Sequence, residues 1–88
     1  MNINYEKIKE IYGEELLEYI KEDSSIVVEN IKHLIFLEFN DVEDIFERYA
    51  PLFLEYEFKN KINSLIKKIG PDYVDMIEND LGLLEELL

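Results

Sequence analysis

The stretch PLFLEYEFKNKINSLIKKIGP, residues 51–71, decides how the rest of the chain is read. Pro51 suits a first helical turn, where its missing N–H would have had no partner and its φ is already helical. Leu54, Phe58, Ile62, Leu65 and Ile69 recur at three- and four-residue steps, with Ile66 beside them. That spacing draws one apolar stripe along a helix. Gly70 and Pro71 end it, glycine as a residue beyond the C-cap and proline as a block to continuation. The pattern predicts one helix from Pro51 to Ile69, the longest in the chain. Phe53 and Tyr56 fall off its stripe.

Toward the N-terminus, Pro51 disfavours helical geometry at Ala50, so the preceding helix must stop there. That helix is expected over 42–49, behind Asp41 as N-cap, with Val42, Ile45, Phe46 and Tyr49 at i, i+3, i+4 and i+7. Residues 26–39 are the most apolar part of the chain. Val27, Val28, Ile31, Leu34 and Ile35 share a helical face, which leaves Ile26, Phe36 and Leu37 off it. Either this helix is central and buried on more than one side, or a second protein covers the surplus. A strand over 33–39 would find no other convincing strand to pair with, so the reading stays helical.

Asp23, Ser24 and Ser25 form a capping turn. Before it, Tyr5, Ile8, Tyr12, Leu16 and Tyr19 line one face of a helix over 5–22, with Asn4 as N-cap. Gly13 lies inside this helix at a cost of about 1 kcal/mol relative to alanine. The apolar face stays in phase across it, which favours a continuous or kinked helix. Downstream, Pro71 opens a short helix with Tyr73, Val74 and Ile77 inward, and Asp80 caps a last turn or two carrying Leu83, Leu84, Leu87 and Leu88. The run from Ile8 to Ile20 faintly echoes the run from Ile66 to Ile77. A true duplication would make Gly13 a break like Gly70. The expected fold is all-α, a compact irregular bundle of about five or six short helices. Residues 1–88 form a single domain, with the helices over 26–39 and 51–69 at its centre.

Composition narrows function by exclusion. With no cysteine and one histidine, neither disulfides nor a zinc site can reinforce so small a core. The 48% apolar and 34% charged content is that of a folded soluble domain. No apolar run approaches the roughly 20 residues of a membrane span. The opening MNINYEKIKE lacks the basic patch and apolar core of a signal peptide, so a cytoplasmic location is expected. The net charge of −12 repels nucleic acid and anionic membranes. Only residues 51–71 hold a surplus of lysine. There Lys61 and Lys68 share a flank while Lys59 and Lys67 lie elsewhere, so no basic face forms. Glu55–Lys59 and Glu57–Lys61 are i, i+4 pairs worth about 0.2–0.5 kcal/mol each.

Catalytic chemistry is not expected. Ser24 and Ser25 read as caps, Ser64 as helix surface, and His33 stands alone near Glu29. The three glycines are isolated, so no phosphate-cradling loop exists. Carboxylates cluster at Glu14, Glu15 and Glu18, at Asp41, Glu43, Asp44 and Glu47, and at Glu78 and Asp80. On helices they fan outward, and none sits in the twelve-residue loop that calcium requires, so no metal or cofactor is expected. The function these features point to is a non-enzymatic acidic protein-interaction module, a regulator or inhibitor that binds a partner protein. In its more specific form, Glu14, Glu15, Glu18, Asp41, Glu43, Asp44 and Glu47 imitate phosphates at a basic, nucleic-acid-binding site. Phe36, Leu37, Phe53 and Tyr56 supply aromatic and apolar contact surface. The alternative is a structural homo-oligomer in which Phe36, Leu37, Phe53 and the leucines of 83–88 are buried between identical chains.

Overall fold

Asn4 starts the first helix as expected: its side-chain oxygen accepts the backbone N–H of Lys7 at 3.1 Å. The computed structural model describes residues 3–88. In chain order they form α1 (Tyr5–Tyr12), α2 (Glu14–Glu22), α3 (Ser24–Phe36), α4 (Val42–Arg48), a first 3-10 helix (Ala50–Leu54), α5 (Phe58–Ile69), α6 (Tyr73–Asn79) and a second 3-10 helix (Leu81–Leu87). The all-α expectation holds, and the helices are more numerous than the five or six read from the sequence. Each extra element comes from a break that periodicity alone does not reveal.

Gly13 is one such break. It adopts φ +94°, a conformation that favours glycine, so α1 and α2 are separate helices. Gly70 does the same at φ +101°, and in both cases the glycine N–H reaches the carbonyl four residues back at 2.8 Å. An apolar face that stays in phase is therefore no guarantee of a continuous helix at Gly13. The inward residues are Ile8 before the break and Leu17 and Ile20 after it, while Tyr5 and Tyr19 face outward. Tyr5 is covered on its outer side by the Lys21 ammonium, 5.6 Å from the ring centroid.

The stretch 51–71 holds two elements where one was expected. Pro51 lies in the first turn of a 3-10 helix, Glu55 is extended at φ −74° and ψ 125°, and α5 begins only at Phe58. The longest helix is consequently α3, with 13 residues against 12 in α5. The cause lies far away in sequence. The Asn30 side chain on α3, fully buried, donates to the carbonyls of Phe53 at 2.8 Å and Glu55 at 3.1 Å. A continuous helix would have offered those carbonyls to the N–H groups of Glu57 and Lys59.

The break rotates Phe53 off the helix surface and into the core. It meets Phe46 edge-on at 5.1 Å and Phe58 at 4.8 Å, both favourable aromatic separations. Every element contributes to one apolar cluster, from Ile8 on α1 to Leu84 and Leu87 on the second 3-10 helix. The space among Leu34, Phe39, Phe53, Phe58 and Ile77 is too small to hold a water molecule. The radius of gyration, 12.6 Å, is close to the roughly 12 Å of a compact chain of this length. No helix among the described residues is long and apolar enough to cross a membrane.

α3 ends three residues earlier than the apolar run suggested. The N–H of Glu38 bonds the Ile35 carbonyl at 3.0 Å and that of Phe39 bonds the Leu34 carbonyl at 3.2 Å, a Schellman turn that returns Phe39 to the core. The turn needs a left-handed residue, and the chain places Glu38 there at φ +69°. For a non-glycine residue this costs about 1–2 kcal/mol, partly offset by glycine's greater loss of freedom on folding. Glu38→Gly should accordingly stabilise the fold by about 0.5–1 kcal/mol, read as a higher urea midpoint at unchanged slope.

Candidate functional site

The helix α4 displays part of the predicted acidic surface, and three long-range contacts fix it in place. Asp41 precedes it, but the Asp41 side chain makes no cap. The cap comes instead from Glu78 on α6, whose carboxylate accepts the N–H of Asp41 at 2.7 Å, the N–H of Asn40 at 2.9 Å and the Asn40 side-chain amide at 3.1 Å. At the other end, the Tyr12 hydroxyl donates to the Glu47 carbonyl at 2.8 Å and accepts the Ala50 N–H at 3.4 Å. Lys7 on α1 pairs with the buried Glu47 carboxylate at 2.9 Å. Removing the cap with Glu78→Ala should cost about 1–2 kcal/mol, the range of a lost helix cap, and fray the start of α4. Hydrogen exchange at the first turn of α4 checks this.

These contacts change which acids face outward. Glu47 belongs to the fold and does not form an open surface, which corrects the sequence expectation. Asp44 is bound to Arg48 at 3.2 Å, and Glu14 lies 3.9 Å from Lys9. Glu15, Glu18, Asp41 and Glu43 are exposed and have no ion pair among the described residues. An open groove of about 420 Å³ runs between Lys7, Ile11, Tyr12, Asp44, Glu47 and Arg48, and mixes both signs of charge. Among the described residues no three acidic, histidine or cysteine side chains converge as a metal site would.

The four apolar candidates also divide. Phe53 is wholly buried among Phe46 and Phe58, so its off-stripe position reflects the broken helix and not a contact surface. Leu37 is half-buried, and its carbonyl accepts the Tyr73 hydroxyl at 2.8 Å. Phe36 and Tyr56 remain, 78% and 71% exposed. Near Phe36 the ring of His33 is stacked at 6.3 Å, held by a hydrogen bond between its Nε2 and the Asn63 side chain at 3.0 Å.

No protein family, curated protein or solved structure matches the chain. The surface must be judged on its own chemistry.

Two features escape the sequence. The buried face of α3 is Val27, Asn30, Ile31 and Leu34, which turns Val28 and Ile35 outward beside Phe36. A polar Asn30 at helical spacing from three aliphatic residues is the available signal. The lysines of α5 also pair differently from expectation. Lys61 reaches Glu55 at 3.1 Å and the Leu87 carbonyl at 3.4 Å, and Lys68 reaches Glu86 at 3.5 Å. Glu57 holds Asn60 at 2.8 Å. The break at 55–57 removes the helical register on which the i, i+4 pairs depended.

Burial and pairing in this region set the response to alkali. Lys7 is held above the ordinary 10.5, first by its hydrogen bond to Glu47 and then by that carboxylate's charge. Tyr12 and Tyr49 are pushed above 10.0, in each case mainly by burial. All three groups bind their proton more tightly in the folded chain than in the unfolded one. Their contribution to stability is therefore complete below about pH 10 and is lost as pH rises through their folded values. Urea melts from about pH 8 to about pH 11 should show constant stability at first and a fall beyond pH 10.

Proposed function

We propose that this protein is a non-enzymatic interaction module, a regulator or inhibitor that binds a basic partner protein. The supporting observation is the combination of a −12 chain with outward carboxylates that form no ion pair among the described residues, above all Glu15, Glu18, Asp41 and Glu43. Charge of one sign steers a basic partner and suppresses acidic ones. In the narrower form, those carboxylates occupy the site where the partner would hold phosphates. Glu14, Asp44 and Glu47 contribute less to such imitation because Lys9, Arg48 and Lys7 already engage them.

The test is capture from a lysate on the immobilised protein, repeated with added salt and with competing duplex DNA. Basic partners that salt releases support the module, and release by DNA supports the imitation of nucleic acid. Retention of partners that are not basic, indifferent to both competitors, defeats the proposal. The homo-oligomer reading draws on less surface than the sequence suggested, since Phe53, Leu84 and Leu87 are buried within one chain. Light scattering separates the two, because a monomer at tens of micromolar leaves no oligomer to explain.

A further inference from the structure

α3 lies against the core through Val27, Asn30, Ile31 and Leu34, and its outward side mixes apolar side chains with the exposed Ser25, Glu29 and Lys32. Val28, Ile35 and Phe36 stand there 38%, 50% and 78% exposed. Their spacing of seven and eight residues sets them on one outward face, spanning about 12 Å along the helix axis. The packing of the bundle covers Val28 and Ile35 only in part and leaves most of Phe36 bare.

Its charge frame is specific. At the N-terminal end stand Glu22 and Asp23, and at the C-terminal end Glu38 and Asp41, all exposed and without an ion pair among the described residues. The helix dipole adds negative potential at the C-terminal end. Between them lie one base, Lys32, and one further acid, Glu29, both exposed and without an ion pair among the described residues. The arrangement is therefore a centre of interleaved apolar and charged side chains with acidic ends.

We propose that this outer face of α3 docks one short amphipathic helix of a partner protein, with an apolar stripe at its middle and Lys or Arg at both ends. The inference rests on the basic-partner reading above and assigns that partner a shape and a place. The frame attracts cationic ends, and Lys32 favours a neutral or acidic residue opposite it. Size argues in the same direction. A stable interface buries about 800 Å² on each side. The face is one helix wide and α3 is only about 20 Å long, which suits a single helix better than a globular surface. A second copy would in addition bring another −12 of charge to the contact.

The experiment titrates the full chain, labelled with nitrogen-15, with three synthetic peptides while amide shifts and affinity are followed. One peptide is a cationic amphipathic helix with leucines at i, i+3, i+4 and i+7 and lysines at both ends. The second has the same composition in scrambled order, and the third carries glutamates at its ends. The first should bind at least tenfold more tightly than either other, shift the amides of 28–38, and lose at least tenfold in affinity to Phe36→Ser. Phe36 is exposed, so a melt of this variant should match the parent. Four results would overturn the proposal. Equal binding of the scrambled peptide, or shifts centred on α4 that ignore Phe36→Ser, would leave the basic-partner reading standing and remove α3 from it. Binding of none of the peptides, with basic partners still captured from a lysate, would exclude a helical occupant. Self-association abolished by Phe36→Ser would make the occupant a second copy.

Discussion

Asn30→Ala should destabilise the fold by about 2–4 kcal/mol, from a domain whose total stability is roughly 4–13 kcal/mol at this length. Asn30 is 0% exposed, and its amide is the donor for the carbonyls of Phe53 and Glu55. Removing it strands the buried Phe53 carbonyl and opens a small cavity, and each such stranded group costs about 1–3 kcal/mol. One part of the side chain works in the opposite sense: Oδ1 is buried with no partner, so its removal recovers some of the loss. Urea denaturation followed by far-UV circular dichroism gives the value. Asn30→Asp isolates the donor, since it keeps the shape but places a carboxylate against two carbonyls. Its folded form should bind a proton above the ordinary aspartate value of about 3.9, so this variant should gain stability as pH falls. A loss under about 1 kcal/mol for Asn30→Ala would mean the break at 55–57 is held by something else.

Phe53→Ala should cost about 3–5 kcal/mol, as expected for deleting a ring from a packed core. Its edge-on and tilted contacts with Phe46 and Phe58 are lost together, and the surrounding core can close only part of the gap. Tyr56→Ala, three residues on, should stay within about 0.5 kcal/mol because the ring is 71% exposed. The paired measurement matters because the sequence treats the two residues alike, both off the stripe of one helix. Equal losses at the two positions would contradict the burial of Phe53 between Phe46 and Phe58. Midpoints of thermal and urea melts on the two variants decide it.

Much of the architecture is legible in local chemistry alone. The helix over 42–49 and the caps by Asn4 and Asp80 follow from it, and both caps form, with Asp80 accepting the Gly82 N–H at 3.2 Å. The stop at Gly70 is equally local. The inward stripe Phe58, Ile62 and Leu65 follows from helical period. Less of the candidate surface is legible. Residue pattern puts Phe36 and Glu43 on the outside, where they are, but puts Phe53 and Glu47 there too, where they are not. Phe53 depends on where a helix breaks, and Glu47 on which lysine arrives from α1.

What the sequence determined by itself is that the chain is helical, acidic and without disulfide chemistry, because period, charge and residue identity are properties of neighbours along the chain. What only the tertiary structure decided is the division of the stretch 51–71 at 55–57 and which faces turn outward. Asn30 interrupts the stretch 51–71 by taking carbonyls from 23 and 25 residues away, and Glu78 caps α4 across 37. Backbone groups must find partners wherever the fold supplies them, and no local pattern records a partner that distant. The stretch 51–71 thus keeps its stripe and its stop, but its first four residues belong to a separate element, the 3-10 helix Ala50–Leu54, that carries Phe53 into the core.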